Sequence, residues 1–242
     1  ETFSSGMGAI SATLMALLNQ GDHMVASADI YGGTYGLLTE EFPRFGISTT
    51  MADMRDPASY EAAIQENTKL LYIETLTNPV LKVCDIEAMA DVAKRHNLLL
   101  LIDNTFASPW GCKPLDMGVD LVLHSTTKYL GGHSDILGGA VVGSKDLIAQ
   151  IFMRKVHFGA APDPHSCYLL ERGMRTLDVR MPRICDNAYN LAVRLENHPA
   201  IERVYHSKLA SHPDFEIAER ILPNGSGMIA FVVKGGDDAA LK

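Results

Sequence analysis

Four short stretches of the sequence bring together side chains that can do chemistry. The first is Ser5-Gly6-Met7-Gly8, just ahead of an apolar-periodic run. Glycines in such a turn let backbone N–H groups point at an anion on a helix N-terminus. An ordinary packing turn would use the same residues. The second is Leu100-Leu101-Ile102-Asp103-Asn104-Thr105. A carboxylate closing an apolar strand needs a partner, because burying it unpaired is costly. A helix cap, a salt bridge or a ligand's cationic ring nitrogen would each serve. The third runs from Asp120 to Ser134: an apolar strand, the hydroxyls of Ser125, Thr126 and Thr127, then Lys128 and a Gly131-Gly132 turn. The apolar strand and Tyr129-Leu130 around Lys128 predict burial. A desolvated lysine has a lowered pKa and forms imines. Ser125 and Thr127, on one side of an extended segment, could both donate to a phosphate. The fourth is Tyr31-Gly32-Gly33-Thr34, where Tyr31 either lies against a ring or packs into the core.

Positioning these residues requires strands that end beside one another. Apolar spacing predicts a helix over Gly8 to Leu18 (Ile10, Leu14, Leu17, Leu18) and a strand over Met24 to Ser27. A helix over Gly33 to Phe42 should end before Pro43, and a strand covers Ile47 to Met51. Pro57 to Glu66 reads as a helix, Leu70 to Glu74 as a strand, and Asp85 to His96 as a helix with Asp85 as its cap. Leu98 to Asp103 is continuously apolar up to its last residue, a strand buried on both faces; Asp120 to His124 is another. Ser144 to Arg154 is helical. This alternation predicts an α/β fold with a mostly parallel central sheet covered by helices. Beyond about residue 180 the pattern changes to a helix (Met181 to Asn197), a strand (Ile201 to Tyr205), a helix (Phe215 to Ile221) and a strand (Met228 to Val233). Residues 1–180 are therefore read as a large domain, and 181–242 as the start of a smaller α+β domain. All four chemical stretches then fall at strand ends, where open α/β sheets place their ligands.

The composition narrows the function classes. Of 242 residues, 47% are hydrophobic and 21% charged, and the net charge is −8, so a real core is expected. No basic stripe is present, which argues against a nucleic-acid partner. The longest apolar stretch, Leu98 to Ile102, is far too short to span a membrane. Cys84, Cys112, Cys167 and Cys185 form no C-x-x-C pair and match no zinc spacing, so they read as reduced thiols in a cytoplasmic protein. His124, His133, His157, His165, His206 and His212 are scattered without a metal-binding pattern. A nicotinamide-binding reading of Gly6-x-Gly8 fails because the third glycine would fall at Ser11 and no acidic residue follows at the right distance.

Taken together, SSGMGAI, DNTF, STTKYLGGHSD, SHPDFEIAER and GMIAFVVKGG resemble the Cys/Met-metabolism enzymes of transsulfuration, which use pyridoxal 5′-phosphate (PLP) on the aspartate-aminotransferase-type fold (fold type I). The segment from Asp120 to Ser134 is similar to that family's PLP-lysine signature. The resemblance implies that Lys128 holds PLP as a Schiff base and then moves protons between substrate carbons. It implies that Asp103 keeps the pyridine nitrogen protonated, and that Tyr31 stacks on the ring and assists proton transfer to the leaving group. Gly6 and Met7 would give backbone donors to the phosphate, Ser125 and Thr127 hydroxyls, and Asn78 would approach the ring hydroxyl. Leu76 stands where the family usually has Pro, a departure expected to affect turn stiffness more than chemistry.

The resemblance further implies an amino-acid substrate cleaved or exchanged at Cγ, and a homotetramer built from dimers with shared active sites. Members of this family extend beyond both ends of the chain. The substrate-carboxylate arginine and the neighbouring subunit's phosphate ligands are expected there, and the 242 residues alone are expected to be nearly inactive. The motifs do not separate C–S lyases from γ-synthases. Gly33 stands where methionine γ-lyases resemble one another in carrying Cys. The loop Arg154 to Pro162 is read as shorter than theirs and closer to cystathionine γ-lyases and γ-synthases. The leading expectation is α,γ-elimination on cystathionine-type substrates; γ-replacement on an O-acylhomoserine and methionine γ-cleavage are the alternatives. An inactive PLP-fold binding module is the alternative from a different class.

Overall fold

The computed structural model describes residues 1–240. Seven strands form one sheet: β1 (Thr2–Phe3), β2 (His23–Ser27), β3 (Ser48–Ala52), β4 (Thr68–Glu74), β5 (Leu99–Asp103), β6 (Leu121–Ser125) and β7 (Gly139–Gly143). Their order is β1-β7-β6-β5-β4-β2-β3. Strands β3, β2, β4, β5 and β6 run parallel, and β7 and β1 add antiparallel pairs at one edge. The parallel strands are apolar on both faces because helices cover both. One face packs Met24, Tyr72, Leu101, Leu121 and Leu123 under α1 (Gly6–Leu17) and α6 (Lys145–Phe158). The other packs Leu71, Ile73, Leu100, Ile102 and Val122 under α3 (Pro57–Ala63) and α4 (Ile86–Arg95).

Local signals explain most boundaries. Asp56, Asp85 and Ser144 each accept a backbone N–H in the first turn of α3, α4 and α6. Gly46 and Gly159 end their elements with left-handed backbone. Several expected spans differ. The predicted helix over Gly33 to Phe42 is α2 (Gly32–Gly36), one π turn (Leu37–Glu41) and a 3₁₀ turn (Phe42–Phe45) that contains Pro43. Proline is tolerated there because the opening turn of a helix leaves its N–H groups unpaired anyway. α6 continues to Phe158, so most of the expected Arg154 to Pro162 loop is helix. The strand after Asp120 ends at Ser125, and the short α5 (Ser108–Gly111) follows β5.

Beyond β7, α7 (Pro164–Met174) precedes α8 (Leu177–Glu196). α8 begins before the expected Met181 and holds Pro182 in its interior; the Val179 and Arg180 N–H groups bond Thr176 ahead of the proline, so the first turn survives its missing donor. Residue 180 thus lies inside one helix. A separate two-stranded sheet pairs β8 (Ile201–Tyr205) with β9 (Ala230–Val233), accompanied by α9 (Phe215–Ile221) and α10 (Asp237–Ala240). The C-terminal residues are tied back: Ala218, Ile221 and Leu222 join the core beneath α4, and the buried Asp214 takes a two-pronged bond from Arg55 (2.7 and 2.9 Å) and the N–H of Val83 (3.0 Å). No helix among the described residues is long and apolar enough to cross a membrane.

Candidate active site

The carboxyl ends of β2, β4, β5 and β6 converge, and on the α1 face they present Glu74, Asp103 and Ser125. Asp103 Oδ1 accepts the N–H (2.9 Å) and hydroxyl (2.5 Å) of Thr105, while Oδ2 has no partner among the described residues. Burial raises its pKa, and the two Thr105 bonds oppose that rise. The Thr105 hydroxyl also accepts the Ser125 N–H (2.8 Å), linking the ends of β5 and β6.

At the start of α1, Ser5 Oγ caps the helix by accepting the Gly8 N–H (2.9 Å). The N–H groups of Gly6 and Met7 find no partner among the described residues, and they open a 12-residue helix. Gly6 lies so close to Ser125 that an added Cβ would meet its Cβ at 3.0 Å and Oγ at 3.1 Å. Two free N–H groups beside a hydroxyl, at the positive end of a helix, suit a phosphate.

Tyr31 caps α2 with an exposed ring, and its N–H donates to Glu74 Oε1 (2.8 Å). Its ring covers Gly33, where an added Cβ would lie 2.6 Å from Cε1. Asp29, two residues before Tyr31, pairs with Lys82 on the loop that carries Asn78. Asn78 itself is exposed, and the buried Leu76, which replaces the expected Pro, pairs with Val83 across the base of that loop.

Two expectations around Lys128 need correction. Lys128 is exposed rather than buried. The chain leaves the sheet at Ser125 and turns, with Gly131 N–H on Thr126 O and Gly132 N–H on Lys128 O (both 2.8 Å), which projects the lysine off the sheet end. Its apolar neighbours Tyr129 and Leu130 pack instead on Leu177, Met181 and Cys185. Thr127 is therefore in a turn, not in an extended segment with Ser125; its hydroxyl accepts the Gly138 N–H (3.1 Å). Lys128 and Thr127 open on a cleft of about 690 Å³, walled also by Phe106, Tyr129, Arg180 and Met228. Tyr31, Asp103 and Asn78 are not on its wall.

Sequence reasoning missed Glu74, a buried carboxyl at the end of β4 and in register with Asp103. Burial first, then the Asp103 charge, pushes its pKa well above the ordinary range. A charged residue closing a strand one position from Thr75 was the available signal. Thr105 was also missed, although it stands in the quoted DNTF stretch.

The sequence model described as Cys/Met metabolism PLP-dependent enzyme matches residues 1–242. Cystathionine gamma-lyase of Bacillus subtilis is 47% identical over 230 residues, covering 95% of this chain and 60% of its own. L-methionine gamma-lyase of Porphyromonas gingivalis is 44% identical over 242 residues, covering 99% and 61%. Among solved structures, metB from Corynebacterium glutamicum superposes with a TM-score of 0.97 at 42% identity, over 100% of this chain and 63% of that one. Cystathionine gamma-lyase from Lactobacillus plantarum complexed with L-serine gives 0.94 at 43% identity, over 97% and 61%. The chain spans about three fifths of the length of these relatives.

Proposed function

This chain belongs to the Cys/Met metabolism PLP-dependent enzyme family, and from that premise we propose that it holds the cofactor on Lys128 and serves C–S cleavage at Cγ of cystathionine-type amino acids. One observation carries the cofactor assignment: the free Gly6 and Met7 N–H groups, the Ser125 hydroxyl and the half-satisfied Asp103 carboxylate meet at one end of the sheet. That donor set matches a ligand with a phosphate at one end and a cationic ring nitrogen at the other. Bound pyridoxal 5′-phosphate supplies an electron sink for the pair left when a proton leaves the substrate α-carbon.

The chain's own residues then divide the work. Gly6, Met7, Ser125 and Thr127 would hold the phosphate, Asp103 Oδ2 would keep the ring nitrogen protonated, and Asn78 would serve the ring hydroxyl. The Lys128 amine takes the α-proton and moves protons between substrate carbons. Tyr31, with its N–H fixed by Glu74, would cover the ring and pass a proton to the departing sulfur. Elimination at Cγ releases a thiol, and water then yields 2-oxobutanoate and ammonia. Gly33, which stands where methionine γ-lyases resemble one another in carrying Cys, supports the cystathionine reading; an added Cβ there would lie 2.6 Å from the Tyr31 ring. The assembly we propose is a homotetramer of paired dimers.

The γ-synthase reading draws on a probable cystathionine gamma-synthase of Herpetosiphon aurantiacus, 44% identical over 239 residues. A product assay separates the readings. The complete protein is given cystathionine, methionine, or an O-acylhomoserine with cysteine. Oxobutanoate from cystathionine above all supports the proposal; cystathionine formed from the third mixture, with no ketoacid from the first, replaces it with the synthase. Loss of the cofactor's colour in Lys128→Ala tests the lysine. A colourless protein that gains no absorbance with added PLP refutes the whole assignment.

A further inference from the structure

Across the cleft from Lys128 stands Arg180, in the first turn of α8. Among the described residues, its three hydrogen bonds all go to neutral oxygens. Nη1 donates to the carbonyl of Tyr129 (2.8 Å), Nη2 to the carbonyl of Gly173 (2.8 Å), and Nε to the Thr176 hydroxyl (2.9 Å). Tyr129 directly follows Lys128, so the guanidinium grips the turn one residue past the lysine. The fit is close. A Cβ on Gly132 would fall 2.2 Å from Nη1, and one on Gly173 would fall 2.2 Å from the carbonyl oxygen of Gly131. Gly132 also has φ of +75°, so glycine is demanded there twice over.

The turn needs such a hold. On its N-terminal side it is anchored by β6, and its internal bonds close on Ser125, Thr126 and Lys128. On its C-terminal side no strand follows until β7. Leu130 and Tyr129 supply apolar contact with Leu177 and Met181, but apolar contact is not directional. The planar guanidinium supplies direction, since its donors leave in a fixed fork. The same helix runs 20 residues to Glu196, where Ala192 packs on Val204 and Leu209 of the C-terminal unit.

We propose that Arg180 is a positioning residue for Lys128: its guanidinium clamps the Lys128–Gly132 turn to the first turn of α8, so the lysine's place follows that helix. This rests on the reading of Lys128 as the cofactor lysine. A merely structural arginine would stabilise the fold without influencing the lysine, so the test reads the lysine turn itself.

The experiment compares Arg180→Met and Arg180→Lys with the parent in the complete protein loaded with PLP. It measures amide hydrogen exchange over residues 126–132, the pH titration of the bound cofactor's visible absorbance, and the kcat and KM of turnover. In Arg180→Met, exchange at Gly131 and Gly132 should rise about 10-fold, the loss of one charge-assisted bond to the turn. The absorbance titration should move, and kcat should fall with KM nearly unchanged. Arg180→Lys, which keeps one charged donor, should recover part of each change. A folded Arg180→Met whose turn exchanges at the parent rate and whose titration is unmoved overturns the proposal. Should Arg180→Met fail to fold, Thr176→Val removes only the hydroxyl that orients the guanidinium; faster exchange over 126–132 upholds the clamp, and unchanged exchange overturns it. Lys128→Ala keeps the two readings apart. If it retains the cofactor's absorbance, the lysine assignment fails, and the clamp is then decided by exchange alone.

Discussion

Glu74 and Asp103 end neighbouring strands in register, and burial raises both pKa values. Two such carboxyls cannot both ionise cheaply. Asp103 accepts two donors from Thr105, which favours its charge, whereas Glu74 accepts, among the described residues, only the Tyr31 N–H. These bonds favour the proton on Glu74 and the negative charge on Asp103. Glu74→Gln keeps a neutral acceptor for Tyr31, and kcat/KM should stay within about threefold, while Glu74→Ala orphans that N–H and should cost about 10-fold or more. Steady-state kinetics of the two variants checks this; equal losses would argue against a neutral Glu74. His124, buried on β6, gives a pH effect of known sign. Burial lowers its pKa to about 4 from the ordinary 6.5. Its contribution is intact above about pH 6.5 and is lost as pH falls toward 4, because the unfolded chain takes up the proton first. Between pH 7 and 5 the parent should lose about 2 kcal/mol relative to His124→Leu, from this one group. Urea unfolding of both at the two pH values measures the difference; a constant gap would refute it.

At the scale of elements, one strap joins the C-terminal residues to the site. Asp214 precedes α9 and holds Val83, at the base of the loop that carries Asn78, while Arg55 grips it from the loop after β3. The carboxylate is almost wholly buried and Arg55 is a third exposed. Asp214→Ala should cost about 2 kcal/mol, most of it from leaving the Val83 N–H and the guanidinium unpaired. A double-mutant cycle with Arg55→Met should show coupling, since the two act as one group; strictly additive losses would show that they do not. Where an element's own residues decide its ends, the sequence was a good guide. Asp85 caps as expected, and Phe215 to Ile221 is the helix predicted. The misses include β1, β7, α5, α7 and α10. β1 and β7 are short edge strands whose pairing is settled by distant partners, Thr2 with Ala140 and Phe3 with Gly139, which no local pattern displays.

For the whole molecule, the exposed apolar residues are informative. Phe152, Met153, Val156 and Phe158 lie open along α6, and Tyr168, Met174 and Val179 along α7 and α8. Exposed apolar surface of this kind marks an interaction face. With the proposed tetramer, Val156→Asp should shift the mass in light scattering toward smaller species, and an unchanged tetramer would place the contact elsewhere. Lys128, on the wall of its cleft, is exposed in the single chain.

Residue types and their spacing laid out the chemistry on offer: Lys128 after three hydroxyls, Asp103 closing an apolar strand, and the glycine turn at Gly6. These were legible because each depends on residue type and on spacing within one stretch. Which side chains stand beside one another was set by the folded chain. It put Glu74 against the Tyr31 backbone, Thr105 between Asp103 and Ser125, and Arg180 on the Lys128 turn. These partners lie 43, 2, 20 and 51 positions apart. It also reversed the predicted burial of Lys128. Apolar neighbours in sequence predict burial only if they face the same way, and at the end of β6 the turn sends Tyr129 and Leu130 toward α8 and the lysine toward solvent.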